Sequence, residues 1–124
     1  MAIGLRRLDH VNLTVPRAAE SAARAFYRDL LGMTEIPKPP ELLGRGGAWF
    51  DAGALQLHVS LEEGQGPSRR HVCFTVGDLD AARAAFAGAG FEILPDDRPV
   101  PGWPRFYVLD PGGNRLEIAA PTGV

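Results

Sequence analysis

A hexapeptide that occurs twice constrains this chain more than any other feature. HVNLTV at His10 to Val15 and HVCFTV at His71 to Val76 share four of six residues at an offset of 61, with Asn12 replaced by Cys73 and Leu13 by Phe74. Self-similarity at a fixed offset marks one supersecondary unit used twice. Each copy runs into apolar residues at three-to-four spacing, the pattern of an amphipathic helix: Ala19, Ala22, Phe26 and Leu30 in the first, Leu79, Ala82, Phe86 and Ala89 in the second. Asp78 suits the N-cap of the second helix.

A glycine follows each helix and a short strand comes next, at LLGMTEI (Leu30 to Ile36) and GAGFEIL (Gly88 to Leu94). Two further strands around a turn close each copy, AWFDAGALQLHV and RFYVLDPGGNRLEI, with Asp110 to Asn114 the strongest turn signal. The pattern predicts an α+β fold of two tandem βαβββ modules, about 5–60 and about 69–120, joined by the polar linker 61–68 within one domain spanning 1–124. One helix covers only one face of a sheet of about four strands. Each module therefore needs a partner module, and a cavity between curved mixed sheets follows.

Composition narrows the partners. Thirteen basic against fifteen acidic residues give a net charge of -2, without the basic excess that binding a phosphate backbone demands. Apolar runs are far shorter than the roughly 20 residues that span a bilayer, and the start MAIGLRRLDH has no apolar signal region. A lone cysteine, Cys73, forms no internal disulfide, which suits a reducing compartment. The expectation is a cytoplasmic protein whose partner is neither nucleic acid nor membrane.

Strand alternation selects the chemistry-bearing residues. His10, Asn12 and Thr14 share one face, as do His71, Cys73 and Thr75, Gln56 with His58, and Arg115, Glu117 and Ala119. His10 to Gln56 and His71 to Glu117 are both 46 residues, so the repeat sets a polar pair at matching places in each half. Two imidazoles, one carboxylate and one amide suit a divalent nickel, manganese, iron, cobalt or zinc ion with open positions. His58 is open as an additional ligand, a general acid or base, a substrate contact or a polar cavity wall. Trp103, Arg105 and Tyr107, with Asn12, are the expected substrate contacts, Trp49 is read as core, and Cys73 as cavity lining.

LDHVNLTV, AFYRDLLGM, RRHVCFTVGDLDAA and FYVLDPGGNRLEI, in this order, resemble the recurring segments of the vicinal oxygen chelate superfamily. Its members include glyoxalase I, extradiol dioxygenases, methylmalonyl-CoA epimerase and the fosfomycin and bleomycin resistance proteins. The resemblance covers nearly the whole chain and specifies fold more than activity. It implies His10, Gln56, His71 and Glu117 as metal ligands, a set similar to that of methylmalonyl-CoA epimerase. Gln56 departs from bacterial glyoxalase I, where the position resembles a glutamate able to serve as base. The implied activity is that of a metal-dependent lyase or isomerase of the glyoxalase type. It would act on a small substrate with vicinal oxygens through an enediolate-like intermediate, Glu117 or His58 moving the proton. An extradiol ring-cleaving dioxygenase and a metal-free binding protein like the bleomycin resistance proteins are the alternatives. The resemblance also implies a homodimer with sites shared between subunits, against an intramolecular pairing of the modules.

Overall fold

Strand β1 (His10–Val15) opens the first module in the computed structural model, which describes residues 1–123. A short 3-10 turn leads into helix α1 (Glu20–Ala25), whose continuation over Phe26–Leu30 widens into a π turn. Gly32, at φ 76, turns the chain out of it toward β2 (Thr34–Ile36). Strands β3 (Ala48–Asp51) and β4 (Gln56–Leu61) complete a four-stranded sheet of order β1-β4-β3-β2, in which only β1 and β4 run parallel. The second module repeats the plan with β5 (His71–Thr75), helix α2 (Leu79–Gly88), β6 (Arg105–Leu109) and β7 (Arg115–Ala119). Asp78 caps α2, its side chain accepting from the Ala81 N–H at 3.0 Å. Here the sheet order is β5-β7-β6, again with the first pair parallel.

The strand expected over Gly88 to Leu94 is the one departure from the duplicated plan. Helix α2 occupies Gly88, and the strand shrinks to a single bridge in which Leu94 and Tyr107 exchange hydrogen bonds of 2.8 and 2.9 Å. Pro95, followed by Pro99, Pro101 and Pro104, supplies no backbone donor where a ladder would have to continue.

The two modules share one core. Val15, Ala23, Phe26 and Tyr27 of the first meet Phe86, Phe106, Leu116 and Ile118 of the second, all buried. Phe26 alone touches Phe86 and Phe91, with ring centroids 5.9 and 4.9 Å away. Burying each large apolar side chain contributes about 1.5–3 kcal/mol, so neither half keeps its stability without the other.

The β6–β7 turn fastens the modules further. Asp110 Oδ1 accepts from the Gly112 and Asn114 N–H groups, and Oδ2 from the Tyr27 hydroxyl at 2.6 Å. Asn114 Nδ2 reaches across to the Thr14 carbonyl at 2.9 Å. A Cβ on Gly112 would lie 2.4 Å from Val15 Cγ1, so only glycine fits this approach. Edge strands β1 and β5 thus lie near each other, with their polar faces open. Among the described residues no helix is long and apolar enough to cross a membrane.

Candidate functional site

Register turns the second sheet into a grid. His71 stands opposite Arg115, Cys73 opposite Glu117, and Tyr107 on the far side of Glu117. His71 Nε2 lies 3.1 Å from Glu117 Oε1. The other ring nitrogen, Nδ1, already donates to the Arg69 carbonyl at 3.0 Å. Nε2 is thus the ring nitrogen turned to the carboxylate, and the two atoms are placed to share a cation between them. The separation also matches that of adjacent donors on one ion with bonds of about 2.1 Å.

Glu117 is 4% exposed. Its Oε2 accepts from Trp103 Nε1 at 2.7 Å, and Arg105 Nη1 stands 3.5 Å away. Burial pushes this carboxyl up, but the hydrogen bonds from Trp103 and Cys73 and the Arg105 charge outweigh burial and hold it below the usual range. It is built to stay anionic. Desolvation and the Glu117 charge push the Cys73 thiol up to about 11, which leaves it a neutral neighbour.

On the first sheet three rings form a column. His58 stacks on Trp49, centroids 3.8 Å apart and planes within 2°, and on His10 at 4.1 Å. Its Nε2 donates to Gln56 Oε1 at 2.9 Å. Trp49 is therefore no part of the core: alternation along β3 sends Ala48 and Phe50 inward and Trp49 to the polar face. His10 Nδ1 donates to Asp9 Oδ2 at 2.9 Å, an outer carboxylate of the kind that orients metal-binding imidazoles and frees Nε2. Burial and the neighbouring His10 hold the His58 imidazole below its ordinary range despite Asp9. Asp9 was not anticipated, although its place next to His10 was visible.

The fold thus brings the expected residues together in two groups. His10, Gln56 and His58 meet on one sheet, and His71, Glu117, Trp103, Arg105 and Tyr107 on the other. Asn12 lies apart from both, its amide donating to Ser60 Oγ at 2.9 Å. Within one chain, among the described residues, no three His, Cys, Asp or Glu side chains converge on a common point. Register also refines the equal spacing of 46. His10 pairs with Gln56 but His71 with Arg115, so the residue that holds Glu117's place in the first sheet is His58, opposite Asn12. A slip of two residues keeps every side chain on its face.

A cleft of about 400 Å³ opens between the edge strands, with Asn12, Ser68, Arg70, His71 and Arg115 on its walls. Arg105, expected to hold substrate, is committed to Asp96, the Arg98 carbonyl and Glu117. Arg115 is the basic residue that the sequence reading passed over, though it shares a strand face with Glu117.

Comparison with known proteins places these features in context. Residues 7–118 match the family model of the Glyoxalase/Bleomycin resistance protein/Dioxygenase superfamily. The crystal structure of a candidate glyoxalase family protein from Bacillus anthracis superposes with a TM-score of 0.86 at 39% identity, covering 98% of this chain and 100% of that one. The candidate glyoxylase CFP32 of Mycobacterium tuberculosis is 30% identical over 81% of this chain, which spans only 39% of that protein's length. The E126Q mutant of the fosfomycin resistance protein FosX from Listeria monocytogenes was crystallised with Mn(II) and 1S,2S-dihydroxypropylphosphonic acid. It shares the fold at a TM-score of 0.79 and 20% identity over 96% of this chain and 93% of its own.

Proposed function

Because the chain belongs to the Glyoxalase/Bleomycin resistance protein/Dioxygenase superfamily, we propose that it is a divalent-metal-dependent enzyme of the glyoxalase type. Its substrate is a small molecule with vicinal oxygens, and its site is completed by a second copy of the chain. The observation that carries this reading is the 3.1 Å approach of His71 Nε2 to Glu117 Oε1 while His71 Nδ1 is already a donor.

The donor chemistry fits a first-row divalent ion. His71 and Glu117 of one chain would hold it together with His10 and Gln56 of the other, and the open polar faces of β1 and β5 are the surfaces that would meet. When bound, the ion polarises the substrate's vicinal oxygens and stabilises charge developing on them. Trp103 and Arg105 keep Glu117 anionic and fixed, which suits a ligand better than a base. His58 is the group for moving a proton: it is neutral at ordinary pH and, with Nε2 donating to Gln56, accepts at Nδ1. Trp49 and His10 hold its ring in place by stacking. The unpaired Cys73 supports a reducing compartment, the cytoplasm, as the place of action.

Metal content after loading with manganese or nickel tests the reading, beside sedimentation to count chains. About one ion per chain in a dimer, lost in both His71→Ala and Glu117→Ala, is the expected result. A folded protein that takes up no ion overturns it.

A further inference from the structure

Arg115 is the guanidinium beside the donor pair that the fold leaves unspent. It stands opposite His71 across β5 and β7, and its Cζ lies 4.1 Å from the centroid of the Tyr107 ring. The same ring faces His71 edge-on at 5.8 Å. Among the described residues no carboxylate or carbonyl accepts a hydrogen bond from the Arg115 side chain, whereas Arg105 has three partners. Contact with the ring face holds the guanidinium in place without using its N–H groups, which can then grip a planar anion with two parallel hydrogen bonds. Arg115 opens onto the cleft between the edge strands together with Arg70, and Glu62 is the one acidic residue on its walls. Arg70 is partly engaged, its Nε donating to Ser68 Oγ at 3.1 Å.

We propose that this cleft takes a small anionic substrate whose carboxylate or phosphate is clamped by Arg115, with its adjacent oxygens at His71, the wall residue that reaches Glu117 at 3.1 Å. The inference rests on the metal-site reading above and narrows its substrate class. The grid sets the size. Arg115 is directly opposite His71 and two residues, about 7 Å, along β7 from Glu117. The charge must therefore lie within roughly three bonds of the vicinal oxygens. Short hydroxyketo acids and hydroxyketone phosphates meet this requirement, and molecules with a charge at the end of a long arm do not.

Three probes test it on the full-length chain. Hydroxypyruvate and dihydroxyacetone phosphate carry the anion next to a hydroxyketone, and dihydroxyacetone is the same hydroxyketone without it. Binding is measured by calorimetry on manganese-loaded protein and by amide chemical shifts on EDTA-treated protein, for the native chain, Arg115→Leu, Arg115→Lys and Arg70→Leu. The expected result is at least about tenfold tighter binding of both anions than of dihydroxyacetone. Arg115→Leu should abolish that preference, Arg115→Lys should retain part of it, and neither should alter metal content. Equal binding of charged and uncharged probes overturns the proposal, as does a preference that survives Arg115→Leu or disappears only in Arg70→Leu. If no metal is taken up yet the Arg115-dependent preference persists in EDTA, the anion anchor stands and the metal reading falls. If metal binds but the preference is absent, the reverse holds.

Discussion

His58 faces Asn12 across β1 and β4 just as Glu117 faces Cys73 across β5 and β7. The two modules therefore aim an imidazole and a carboxylate from matching places. His58 rests on two rings and a glutamine and, among the described residues, makes no other side-chain hydrogen bond. With a substrate found by screening 2-oxoaldehydes, acyl thioesters and hydroxyketones, His58→Ala should lower kcat by about 10² to 10⁴ and leave the metal content unchanged. Gln56→Ala should lower metal content instead. Loss of the ion in His58→Ala would make His58 a ligand and move the proton to another group.

Sharing of the site between chains has a sharp genetic signature. His10→Ala and His71→Ala are each expected to be inactive. Mixed, unfolded and refolded together, they form heterodimers in which one of two sites carries every native donor. About a quarter of native activity should return, since random pairing makes half the dimers mixed. Mixtures as inactive as the separate variants would mean that both modules of one chain build each site.

Much of this is legible in the sequence alone. The repeated hexapeptide, the two helical periodicities and the Asp110 to Asn114 turn are local signals, and each survives as an element. The strand at Gly88 to Leu94 was misread because its apolar residues look like a strand while Pro95 beyond them denies the ladder its donor. Spacing alone paired Gln56 with Glu117, because sequence offsets cannot register the two-residue slip between parallel strands. Trp49 looked like core because its size is visible in the sequence and the face it takes on β3 is not. Arg115 was passed over for a related reason: being unspent depends on neighbours that only tertiary structure supplies.

Asp96, joined to Glu117 only through Arg105, offers a pH test. Its hydrogen bond from Arg105, reinforced by the Arg98 N–H and the Arg105 charge, outweighs desolvation and holds its carboxyl below the usual carboxylate range. A lowered native value means the unfolded chain binds the proton more readily. The pair's contribution is therefore present above the unfolded value near 3.8 and is lost as pH falls through the lower native one. Thermal melts from pH 6 to about pH 2.5 should show the native chain losing more stability at the acid end than Asp96→Asn. Parallel curves would remove the linkage.

Tyr27 gives a stability test at the module junction. Burial, with the Asp110 charge, pushes its phenol well above the ordinary range, so it remains a donor to Asp110 at all working pH values. Tyr27→Phe removes a hydrogen bond to a buried carboxylate, and urea unfolding should show a loss of about 1–3 kcal/mol with an unchanged m-value. A shift within measurement error would show that Asn114 and the turn amides alone satisfy Asp110.

That same bond ties residues 83 positions apart, which bears on how the chain is made. During synthesis at about 5–20 residues per second, Tyr27 leaves the ribosome roughly 4–17 s before its carboxylate partner does. Through that interval Phe26 and the underside of β1 wait without Phe86, Leu116 and the turn that covers Val15. The nascent first module is thus the stage most exposed to off-pathway association, and translation speed over residues 27 to 110 governs how long it lasts.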